Sequence, residues 1–224
     1  MRRPSGYSGN LVNAREVGEY FALRSELQEA SVLAFRTLAT DLEVHRAPAA
    51  LVRAAKRAGR DEERHAQMTA SLARRHGASI VPPSFERPAP RPIEDVAIEN
   101  AVEGCVRETF LALISSRQAE TAKDDTIRAA MKTIARDESE QAALAWTLAS
   151  WLEPRVVGDA RTRYGKAART AIQDLRTEAY APYPEPLRRV VGLPSVRDAL
   201  ALIDSLDRTM WQKLALSTNG MMTK

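Results

Sequence analysis

The chain has 224 residues, 44% hydrophobic and 28% charged, with aromatics at only 5%, a balance that excludes a disordered tail and suits close-packed helices better than sheets. Its net charge of +4 comes from interspersed acids and bases, which argues against nucleic acid as a partner, and no apolar run approaches the ~18 residues of a membrane span. A lone cysteine, Cys105, excludes an intrachain disulfide.

Residues 1–12 are basic and are followed by no continuous apolar segment, so they read as a flexible lead rather than a signal peptide. With the single cysteine, this points to the cytoplasm. The first helical pattern covers 13–44, with Asn13 and Glu16 as a capping box. The second covers 48–76 and ends at Gly77, a C-cap. Residues 77–92 carry five prolines, which forbid a helix and suit an extended crossover. A third helix starts at Pro92 and runs to about 122, and a fourth covers 125–152 and stops before Pro154. The short links "HRAP" and "AKDD" make each pair an antiparallel hairpin. Two hairpins joined by one long crossover give an all-α four-helix bundle over 13–152. Residues 153–224 form a helical extension. One helix covers 159–177, "YAPYPEP" is a rigid turn, and a last helix opens at Pro194 and Ser195 with the stripe Val196, Leu200, Ile203, Leu206, Met210 and Leu214. These helices pack on the bundle or on a second copy of the chain.

The two hairpins resemble each other. "QEASVLAF" (28–35) matches "EGCVRETF" (103–110), and "RDEERHAQM" (60–68) matches "RDESEQAAL" (136–144). The apolar stripe of the second helix runs Leu51, Ala55, Ala58, Glu62, His65, Thr69, Leu72, and that of the fourth runs Ile127, Met131, Ile134, Glu138, Gln141, Ala145, Leu148. Glu62 with His65, and Glu138 with Gln141, therefore face inward. Glu103 lies mid-stripe on the third helix and Gln28 on the first. Three carboxylates converging in a dry core must take up protons, recruit arginines or hold a cation. Inward Glu and Glu-x-x-His on the helices of one bundle is an arrangement that binds two metal ions.

Through these segments, about residues 25–151, the chain resembles the ferritin-like superfamily of di-iron carboxylate proteins. It looks closest to bacterial ferritin-like proteins of unassigned activity. The resemblance implies iron, two ions per chain, with manganese the alternative. It implies Glu62 and Glu138 as bridging ligands, His65 as a terminal histidine and Glu103 as a terminal glutamate. Gln28 stands where the family has a second terminal glutamate, and Gln141 where it has a second histidine. The implied activity is that of an iron-dependent oxidoreductase or ferroxidase acting with oxygen or peroxide.

Plainer readings stand beside these. Glu62 and His65 could join Arg60 or Arg64 in a surface ion pair, Glu138 and Gln141 could form a metal-free polar network, and Glu103 could pair with Arg107. Glu99 and Glu108 read as structural, and Cys105 as a small buried hydrophobe. The competing function is a non-catalytic ferritin-like module with a decayed site. A third is an interaction protein using the basic face of Arg53, Lys56, Arg57, Arg60 and Arg64.

Overall fold

The computed structural model describes residues 1–4, 7, 11–80 and 89–216, the side chains of the last two excepted. Among the described residues the chain is all-helical, without a strand. After a 3-10 turn at Leu11–Asn13 come α1 (Val17–Val44) and α2 (Ala49–Arg75). A continuous rod follows, built of α3 (Ile93–Glu99), a π-helical segment (Asn100–Glu108) and α4 (Thr109–Thr121). Then come α5 (Asp125–Leu152), α6 (Asp159–Ala179), α7 (Glu185–Val191) and α8 (Val196–Leu206), which a π turn at Asp207–Trp211 joins to α9 (Gln212–Leu216).

The four long rods and their pairing match the sequence reading. α1 packs along α2, α4 with the π segment packs along α5, and α2 meets α5. Gly77 takes φ +80° just past α2, the left-handed geometry expected of a residue that ends a helix. Of the expected crossover, residues 81–88 lie outside the described residues. Its far end is clamped to α1, where Arg91 donates to the buried Asp41 through its backbone N–H (2.9 Å) and its guanidinium (2.7 and 2.9 Å).

Four features depart from the expectations. Helix α1 starts at Val17, and its capping box is formed by Glu16 and Glu19, not by Asn13, which ends the 3-10 turn. The turn before the last helix contains the short α7, which closes at Gly192 with φ +78°. Of the expected flexible lead, Met1 and Arg2 are instead buried, 1% and 0% exposed, while residues 5, 6 and 8–10 lie outside the described residues. Finally, the third rod is not a uniform α-helix. Nine residues at its centre are wound as a π-helix, whose wider turn shifts the inward face relative to a 3.6-residue stripe.

That segment is where the N-terminus enters the core. Asn100 donates through Nδ2 to the carbonyl of Ala145 (2.9 Å) and accepts from Arg2 (2.9 Å). Gly104 makes room: a Cβ there would stand 2.5 Å from Arg2 Nη2 and 2.8 Å from Ala145 Cβ. On the outer side, Trp211 donates its indole N–H to the carbonyl of Cys105 (2.9 Å). The extension thereby joins the bundle through one apolar core that includes Cys105, Leu148, Tyr164, Leu175, Ile203 and Trp211.

Candidate functional site

Helices α1, α2, the π segment and α5 bring an unusual number of polar side chains into one layer of the bundle. Gln28, Glu62 and His65 are each 0% exposed, Glu138 is 1% and Gln141 is 3%. Glu62 and His65 are therefore not a surface ion pair. Arg64 instead serves the outer surface, bonded to Asp61 and Asp137.

His65 is held from both sides. Its Nε2 lies 3.1 Å from Asp137 Oδ2, and its Nδ1 lies 3.8 Å from Glu62 Oε2. Asp137 accepts only, so Nε2 carries the proton, and Nδ1 faces Glu62 at a distance too long for a hydrogen bond. Burial would lower the His65 pKa, but Glu62, Glu138 and Asp137 outweigh it and raise it. Burial pushes the Glu62 carboxyl up, and His65, the N-terminal ammonium and Gln141 outweigh it, leaving the pKa below its ordinary value. Asp137 is likewise held low despite burial, between His65 and Arg136.

Glu138 has a partner that periodicity did not show. Arg24, fully buried on α1, donates through Nη2 to Glu138 Oε1 (3.0 Å) and to Ser115 Oγ (2.7 Å), and through Nη1 to Gln118 (3.0 Å) and Tyr20 (3.2 Å). Gln28 accepts from the Thr69 hydroxyl at 2.6 Å.

Glu103 sits to one side of this layer. It takes a forked contact from Arg3, with Nη2 to Oε1 at 2.9 Å and Nε to Oε2 at 3.0 Å, and it lies 3.8 Å from Arg107. Arg107 in turn donates to Glu178 of α6 at 3.1 Å. The carboxylate that the π segment turns into the core is Glu108, 1% exposed. It lies 3.6 Å from Arg2 Nη2 and 3.8 Å from the Met1 amine. Burial raises its pKa; Arg2 and the amine lower it in part, while Glu62 and Glu99 add to the rise. A stripe drawn with α-helical steps passes through Glu103 and misses Glu108, because the π turn changes the step.

Several buried atoms in this layer lack hydrogen-bond partners: both oxygens of Glu62 and of Glu108, Oε2 of Glu138, Nδ1 of His65, and both amide atoms of Gln141. Leaving even one such group unmade costs about 1–3 kcal/mol, so this cluster needs an occupant, water or protons. Among the described residues, no three His, Cys, Asp or Glu side chains are drawn into a ready metal cage. Cys105 is buried against Asn100 and the Ala145 carbonyl, and burial pushes its thiol well above its ordinary value, so it is inert.

Comparison with protein-family models, with characterised proteins and with solved structures finds no match to this chain. No helix among the described residues is long and apolar enough to cross a membrane.

Proposed function

We propose that this chain is a ferritin-like metal-binding protein that holds one divalent ion, iron or manganese, at the Glu62, His65, Glu108 and Glu138 layer. The observation that carries the reading is the cluster of partnerless buried donors, together with the orientation of His65. With Nε2 committed to Asp137, the free Nδ1 is the nitrogen available to a metal, and a carboxylate behind a histidine is the usual way such a ligand is fixed. A mixed carboxylate and imidazole set suits iron or manganese better than a softer ion. Glu103 is committed to Arg3, so Glu108 takes its place among the ligands, and Gln28 is committed to Thr69.

One ion rather than two follows from charge. Arg24 already neutralises one oxygen of Glu138, so a fixed guanidinium stands where a second ion would draw its anionic ligand. A ferrous ion in this layer would supply redox chemistry toward oxygen or peroxide. The chain's own residues would hold it, balance the charge of the layer through Arg24 and Asp137, and keep bulk water out.

A second reading is a metal-free structural module, and one observation favours it. Arg2 and the Met1 amine already lie within 4 Å of Glu108 and could balance the carboxylates by themselves. Elemental analysis of protein produced with iron and manganese present separates the two. The metal reading expects about one tightly held ion per chain, lost in Glu62→Ala, with the apo form regaining it on titration. Protein that holds no ion establishes the metal-free module, and a Glu62→Ala variant that keeps its ion would place the ion outside this layer and overturn the metal reading of it.

A further inference from the structure

We propose that the cavity between the four-helix core and the C-terminal extension binds a small apolar carboxylic acid, with its hydrocarbon body enclosed by both layers and its carboxylate held by Arg188. This goes beyond the metal reading and does not depend on it. The cavity has a volume of about 330 Å³, at the small end of the ~300–1,000 Å³ range of sites that hold small organic ligands. Its walls come from both layers: Leu27 and Tyr20 of α1, Phe110 and Ile114 of the third rod, Leu175 of α6 and Ala199 of α8. Such walls exclude a strongly polar or highly charged ligand, which would lose its hydration without replacement.

The charged lining selects the sign of the occupant. Arg3, Arg107 and Arg188 face the cavity, against one acid, Glu178. Two of the three arginines are spoken for: Arg3 is forked on Glu103, and Arg107 donates to both oxygens of Glu178. Arg188 is half-buried, and its guanidinium has no ion pair or hydrogen bond among the described residues. The Tyr183 hydroxyl in the same wall also has no hydrogen-bond partner among them. Burial holds that phenol in its neutral, donating form. An unpaired planar fork and a phenol donor, both in the lining of one largely apolar chamber, suit a carboxylate on a hydrocarbon body. A neutral apolar molecule would leave both donors unused.

The cavity also touches the polar layer. Tyr20, part of its wall, bonds to Arg24, and Met1, which closes it on one side, has its amine 3.8 Å from Glu108. An occupant therefore sits one side chain away from the buried carboxylates.

Calorimetric titration of the purified full chain with octanoate, 1-octanol and octylamine tests the proposal. Octanoate should bind saturably at one site, with octanol at least about tenfold weaker and octylamine weaker still, as expected when a charged hydrogen bond is lost. Arg188→Ala should bring octanoate down to the affinity of octanol while leaving octanol unchanged. Ala199→Phe, which fills the chamber, should weaken both. Circular dichroism checks that each variant is folded, and Arg188→Ala removes no hydrogen bond or ion pair to a described residue, so it serves even if the filled variant unfolds. No saturable binding, octanoate binding no tighter than octanol, or octanoate affinity unchanged in Arg188→Ala would each overturn the assignment.

Discussion

The charged residues of the core matter less for their individual energies than for the way each holds the next. Arg24 and Glu138 are 0% and 1% exposed at 3.0 Å, so neither can fall back on water. Removing one member of such a pair leaves the other buried and uncompensated, at a cost of about 3–5 kcal/mol, whereas replacing both with apolar residues is often close to neutral. Arg24→Met should therefore lower the urea stability of chelator-treated protein by about that amount, and Arg24→Met with Glu138→Leu should be more stable than Arg24→Met alone. Simple addition of the two single losses would show that the pair is not coupled. None of this was visible along the chain. Arg24 lies one helical turn before Gln28, the residue that periodicity selected, and only the folded contact shows that it enters the core.

At the scale of the element, helix ends and the π segment carry the information that positions the site. Asp124 caps α5 by accepting from the backbone N–H groups of Thr126 (2.8 Å) and Ile127 (3.0 Å). The Ile127 bond, ahead of the opposing effect of burial and with Thr126 and Arg75 adding to it, holds the Asp124 pKa below its ordinary value of 3.8. A depressed carboxyl contributes stability that is present above its unfolded value and lost as pH falls through its folded one. Asp124→Ala should thus cost about 1 kcal/mol at pH 7, as a lost N-cap does. The gap from wild type should narrow in urea titrations carried below pH 3.8, by the part that the ionised carboxylate adds over a neutral acceptor. Asp124→Asn should recover most of the loss and be insensitive to pH at this site. A constant gap across that range would remove the carboxylate's charge from the account, and the absence of a gap at pH 7 would remove the cap. The link "AKDD" marked this boundary correctly, since capping is local chemistry. The π segment had no such mark. Within it Asn100 reaches the Ala145 carbonyl and Arg2 lies against Gly104, contacts that join distant parts of the chain.

For the whole molecule, the extension is part of the fold and not an appendage. Trp211 is 1% exposed and donates to Cys105, so it joins the last helix to the rod that carries Glu108. Trp211→Phe keeps most of the apolar area and loses the indole bond, a cost of about 1 kcal/mol, while Trp211→Ala adds a large cavity and should cost about 3–5 kcal/mol. Thermal unfolding of the two variants measures the difference; equal, small losses would mean that α8 and α9 do not help to hold the core. Local pattern by itself determined the four rods, their pairing into hairpins and the inward face of Glu62, His65, Glu138 and Gln141. Helical periodicity, proline and glycine act within a few residues and leave a readable trace. Only the tertiary structure decided that Glu108 rather than Glu103 joins that layer, that Arg24, Arg2 and Asp137 supply its charges, and that an apolar chamber opens beneath the extension. These depend on side chains many tens of positions apart meeting in a medium of low polarity, where electrostatic partners are chosen by proximity in space and not by order along the chain.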